Sequence, residues 1–271
     1  MVEFPLLHEA VFTQPAIDNH AHPLLRAEKR HFLTFEGLIS ESKGPTLVED
    51  APHTLACYRA TKQLGCLYGL KESSTWEDVK LYRDRLGYRE LCSLSFKNSG
   101  IKYILMDDGL DPSMALAEDY KWHDQFISGC TKRIVRIEVE AEVCIKVKQD
   151  TYHVLTSPLQ TILLDLLRSL AWPDVIFEEL LTEFERQLRL KLTKSMIDSE
   201  VVGLKSIVCY RSGLNVSMMG SKEDTEAALR NVCKAFKASG KVRIAQKALN
   251  DEVVRIALEI AGKHGKPGEN I

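Results

Sequence analysis

The sequence lacks a strong excess of either charge, a long apolar run and any C-x-x-C spacing, and each lack removes a class of function. Its 271 residues carry a formal net charge of −2 at pH 7, so no general electrostatic pull draws the chain to nucleic acid or to an anionic membrane. Aromatic residues make up 7%, and no basic stripe interleaved with them appears. The opening stretch "MVEFPLLHEAVF" has no basic n-region and is interrupted by Glu3 and His8, unlike a secretory signal. The longest apolar stretch, "TILLDLLRSLAW", is broken by Asp165 and Arg168 and is too short to span a bilayer. The seven cysteines, at 57, 66, 92, 130, 144, 209 and 233, are odd in number and scattered. That pattern reads as reduced thiols, so a cytoplasmic protein is expected.

What is present is ordinary globular composition, 45% apolar and 27% charged, and no linker demands a domain boundary. A single domain is expected over residues 1–271. "PAIDNHAHP" reads as a short strand bracketed by Pro15 and Pro23. A region with little strand signal follows, about 24–100. In it Leu55, Tyr58 and Leu64 recur at helical spacing, and "TWEDVKLYRDRLG" has Thr75 and Asp78 placed as a capping box. "IKYILMDDGL" is a second strand and "RIVRIEVEAEV" a third. Helix is expected from about Thr151 to Ser199, with Phe177, Leu180, Leu181, Phe184 and Leu188 as one stripe. A fourth strand is expected from about Leu204 to Tyr210. Helices capped by Ser221 and Asn250 follow, the last ending at Gly265. Short strands alternating with helices imply parallel βα units, an α/β fold.

Alternation along a strand aims His20 and His22 the same way. At a strand's C-terminal end two imidazoles could ligate a divalent metal, with Asp18 or Asn19 orienting them. The alternative is a solvated strand end. Eight histidines placed at random give roughly 0.24 such pairs per chain, so the spacing alone does not decide.

Taken together, "PAIDNHAHPLL", "YILMDDGL", "RIVRIEVEAE" and "GLKSIVCYRSGL" resemble the amidohydrolase-related (amidohydrolase 2) family. The nearest branch is the N-terminal amidohydrolase domain of FluG-type and nodulin/glutamine-synthetase-like proteins. The resemblance implies a (β/α)8 TIM barrel. It implies His20 and His22 as ligands of a divalent metal, zinc above all, which lowers the pKa of bound water to about 7. It also implies hydrolysis of amide-like C–N bonds in a small-molecule substrate. Asp108 (or Asp107) would end the second strand facing the pocket, or else belong to a turn. Glu138 on the third strand would bind substrate, or else pair with Arg136 or Arg133. Arg211, at the end of the fourth, would clamp a substrate carboxylate, whereas Lys205 sits early in that strand.

In the family, the helix ending at "KHGKP" leads into a fifth, histidine-bearing strand, whereas here "GENI" follows. The expectation is a partial barrel of about four βα units, C-terminally truncated, with a helical insertion over about 24–100. Two histidines hold zinc poorly, so the rival expectation is a non-catalytic remnant acting as a regulatory or interaction module. Open barrel edges predict a homo-oligomer, with neither nucleic acid nor membrane as partner.

Overall fold

A computed structural model describes residues 4–109, 113–145 and 177–270. The expected helix between Thr151 and residue 176 lies outside the described residues. The chain divides into two compact units, one of Met1–Met106 with Leu110–Lys132, the other of Asp107–Gly109 with Arg133–Ile271.

The first unit runs α1 (Pro5–Thr13), β1 (Ala16–Ala21), α2 (Pro45–Glu49), α3 (Leu55–Leu67), α4 (Trp76–Arg85), α5 (Tyr88–Lys97) and β2 (Ile101–Met106). β1 and β2 pair in parallel, with Ala16 opposite Ile101 and Ala21 opposite Met106. The 24–100 region is helical, as its weak strand signal implies. Its core gathers Cys57, Tyr68, Trp76, Val79 and Leu91. α3 therefore buries its Cys57 side, whereas Leu55 and Tyr58 are exposed, as is Cys66. Thr75 and Asp78 form the expected capping box. Gly87 does more than follow α4. It is the N-cap of α5.

The second unit contains most of β3 (Thr131–Arg136), then α6 (Ile137–Ile145), α7 (Phe177–Ile197), β4 (Val201–Ser206), α8 (Lys222–Ser239), α9 (Lys247–His264) and β5 (Gly268–Asn270). β4 pairs in parallel with β3 on one side and β5 on the other. The core is built by Leu180, Leu181, Phe184 and Leu188 of α7 against Leu249, Val253 and Ile256 of α9. Gly203 lets the chain entering β5 come close, because a Cβ there would meet the Pro267 carbonyl oxygen at 3.0 Å.

Four expectations need correction. The alternation Ile137, Val139, Ala141, Val143 looks like strand, but β3 stops at Arg136. Burial of Ile137, Ala141, Cys144 and Ile145 at helical spacing decides for α6, and Glu138 and Glu140 suit its first turn. Glu138 is thus on a helix. The fourth strand is Val201–Ser206, so Lys205 comes late in it, and Val208–Tyr210 is a 3-10 turn. Asn250 lies inside α9, whose N-cap is Gln246; its amide donates instead to Ser212 Oγ at 3.0 Å. Finally, "GEN" forms a short fifth strand, too brief to show a period in the sequence.

Candidate metal centre and charged strand ends

β1 is poorly buried, with Ile17, Asn19 and His20 all exposed. Its pairing with β2 also slips. Asp18 is opposite Ile104 and Ala21 opposite Met106, so three steps on β1 match two on β2. That is a bulge, a device that re-aims side chains. The Asp18 carboxylate accepts the backbone N–H of His20 at 3.1 Å. His20, on the strand, and His22, just beyond it, are brought together, with ring centroids 5.4 Å apart and planes at 76°.

The chain directly after His22 is held by backbone hydrogen bonds. Leu25 bridges Ala117 in antiparallel fashion. Glu118 N–H donates to the Leu24 carbonyl at 2.8 Å, and Arg26 N–H to the Leu116 carbonyl at 2.8 Å. Tyr88 hydroxyl donates to the Leu25 carbonyl. The Leu24 N–H donates to Nε2 of buried His123 at 3.1 Å. Nε2 must then be unprotonated, so Nδ1 carries the hydrogen and donates to the Tyr120 carbonyl at 3.0 Å. Burial pushes the His123 pKa down, which preserves that neutral form.

The second unit collects charge at its strand ends. Asp107, 1% exposed, accepts from Arg136 and lies 3.2 Å from Lys205 Nζ. Burial alone would raise its carboxyl; the two cations outweigh burial and hold it below the usual range. Glu138 Oε1 accepts from Ser206 Oγ at 2.5 Å and from Ile207 N–H at 2.9 Å. Its Oε2 is buried without a hydrogen-bond partner. Burial raises its pKa, against the opposing pull of those donors and of Arg211.

The remaining sequence candidates are engaged within the protein. Asp108 takes a two-pronged bond from Arg133, at 2.7 and 3.1 Å. Arg211 Nη1 donates to Glu142 at 2.6 Å and to the Ile244 carbonyl at 2.8 Å. Of the adjacent candidates Asp107 and Asp108, Asp107 makes the buried cluster. Ser206, which carries no motif, meets Glu138, and Lys205 comes late enough in its strand to reach Asp107. Of the two arginines expected as alternatives beside Glu138, Arg136 is on Asp107 and Arg133 on Asp108. Among the described residues no group of three or more His, Cys, Asp or Glu could hold a metal ion.

No family model matches the chain. The chain is 35% identical over 266 residues to Protein fluG of Emericella nidulans, covering 96% of this chain and 29% of that protein. It thus spans less than a third of the length of the curated relative. It is also similar to the solved structure of a "putative metal-dependent hydrolase from Lactobacillus casei", with a TM-score of 0.66 and 17% identity, over 97% of this chain and 59% of that one. The likeness shows the fold, an α/β arrangement of parallel strands of the partial (β/α)8-barrel kind. Among the described residues no helix is long and apolar enough to cross a membrane.

Removing one member of a buried ion cluster leaves uncompensated charge, whereas partly exposed pairs contribute little. Asp107→Ala is expected to cost about 3–5 kcal/mol in urea unfolding and Asp108→Ala about 1 kcal/mol or less; equal losses would remove the distinction. For Glu138 the folded pKa lies above the unfolded one. Its contribution is therefore present at low pH and is lost as pH rises through the folded value. Glu138→Gln keeps the Oε1 acceptor and cannot ionise, so its urea midpoint should fall less than that of the wild type as pH rises from 4, below the unfolded carboxyl range, to 8. A steeper fall in the variant would contradict the assignment.

Proposed function

We propose that this chain carries part of a metal-dependent hydrolase acting on amide-like C–N bonds of a small molecule, with His20 and His22 as two ligands of a divalent ion of the zinc class. The observation that carries the reading is the meeting of the two imidazoles at the end of β1, on a backbone tied down immediately downstream. The description of the Lactobacillus casei neighbour supports it.

The donor chemistry fits such an ion, since neutral imidazole is a preferred zinc ligand. The donor number does not. A catalytic site offers three protein ligands and a water, and among the described residues no cluster of three or more His, Cys, Asp or Glu could hold an ion. In this reading the chain's part is to present two imidazoles and hold them, and further ligands come from outside the described residues.

A second reading, a non-catalytic module acting through protein contacts, has its own support. α1 buries none of its residues, and Leu6, Leu7, Val11 and Phe12 are each more than 60% exposed, with Ile17 nearby in sequence at 60%. A second copy of this chain is the partner this reading proposes.

Zinc separates the two. Calorimetric titration should show one zinc per chain, bound more weakly than the ~10 kcal/mol or more of four-ligand structural sites. His20→Ala/His22→Ala should abolish it. Absence of zinc uptake by the wild type, or uptake unchanged in the double variant, overturns the hydrolase reading in favour of the module.

A further inference from the structure

Beside His22 the first unit opens a cleft of about 670 Å³, within the few hundred to a thousand cubic ångströms that small-molecule sites occupy. Its wall is supplied by the 24–100 insertion and is mainly apolar, with Leu25, Leu33, Phe35 and Leu38 along it. Leu33 and Leu38 are 67% and 71% exposed, so apolar surface faces the opening.

The charges in this wall do not balance. Glu36 is matched by Lys80 Nζ at 2.8 Å. Asp84 is approached by Arg83 Nη1 at 3.4 Å, while the Arg83 guanidinium lies 4.7 Å from the Phe35 ring centroid. Arg30 is the cation left over. Its Nε donates to His31 Nε2 at 2.8 Å, Nη1 to the Leu86 carbonyl at 3.0 Å and Nη2 to the Asp84 carbonyl at 2.8 Å. None of the three acceptors is a carboxylate. A guanidinium has five N–H donors, so one donor on each terminal nitrogen is still to be used. The group is held in place by the protein but not neutralised by it.

A fixed, charged, planar fork beside an apolar wall is the arrangement that recognises a carboxylate on a hydrocarbon body. We propose that this cleft binds a monocarboxylic acid with an aryl or alkyl body, its carboxylate on Arg30 and its body against Leu33, Phe35 and Leu38. It rests on the hydrolase reading only for its purpose: the bound acid would be the uncleaved part of an amide substrate whose C–N bond lies toward His22. Binding itself needs no metal.

The test is isothermal titration of the metal-free chain, in EDTA, with 4-phenylbutyrate and with its neutral counterpart 4-phenylbutan-1-ol. Running it without metal keeps its outcome separate from that of the zinc titration. The acid should saturate one site per chain and bind about tenfold tighter than the alcohol, the factor that 1.4 kcal/mol supplies. Arg30→Gln should erase the preference. Because Arg30 also ties down Leu86 and Asp84, a second variant, Leu38→Asp, is needed. Leu38 is exposed, so folding is not at stake, and the acid should weaken by about tenfold or more through lost apolar contact and added repulsion. Equal binding of acid and alcohol, a preference that survives Arg30→Gln, unchanged binding by Leu38→Asp, or no binding of either probe would each overturn the proposal.

Discussion

The hydrogen bond from the Leu24 N–H to His123 Nε2, with the backbone bonds around it, is the constraint on which the candidate centre depends. β1 has little apolar burial of its own, and a bulged strand with exposed residues on both faces does not fix side-chain direction by packing. What fixes it is the exit. Residues 24–26 are tied to 116–118 through main-chain groups that cannot be left unsatisfied without cost, and the tie ends in a buried imidazole. Burial keeps that imidazole neutral, neutrality leaves Nε2 an acceptor, and the acceptor position fixes Leu24. His22 is two residues away. The same segment forms the near wall of the cleft, so the imidazole pair and the Arg30 pocket share one anchored stretch of chain.

The second unit organises its strand ends differently, through charge taken out of water. Asp107, Arg136 and Lys205 compensate one another in a site where each alone would be costly. Glu138 is left with one bonded and one orphaned oxygen. Such groups are expensive for folding and concentrate where chemistry or binding requires them. Asp107, Arg136 and Lys205 sit at the ends of parallel strands, and Glu138 in the first turn of the helix that follows β3.

The parts of this that were legible in the sequence are those written locally. The H-x-H spacing between two prolines, the Thr75–Asp78 box, the Ser221 cap and the stop at Gly265 each depend on residues within a few positions of one another. The third strand failed because Ile137–Val143 satisfies a period of two and of 3.6 at once, and only packing chooses between them. Asp107 and Asp108 are adjacent in one turn motif, and their fates were set by Arg136, Lys205 and Arg133, the first two 29 and 98 residues from Asp107. The surplus charge of Arg30 was invisible for the same reason. It emerges only once Glu36 and Asp84 are seen to have other partners.

In the proposed hydrolase reading, two imidazoles held by this anchored exit share one ion. The most direct measurement is a long-range proton–nitrogen correlation spectrum of the ¹⁵N-labelled chain titrated with zinc, which reads the ring nitrogens of all eight histidines. The signals of His20 and His22 should move together and stop at one equivalent, while His123 retains its Nδ1–H tautomer throughout. Zinc shifting other histidines while this pair stays still, or His123 appearing with Nε2 protonated, would contradict it.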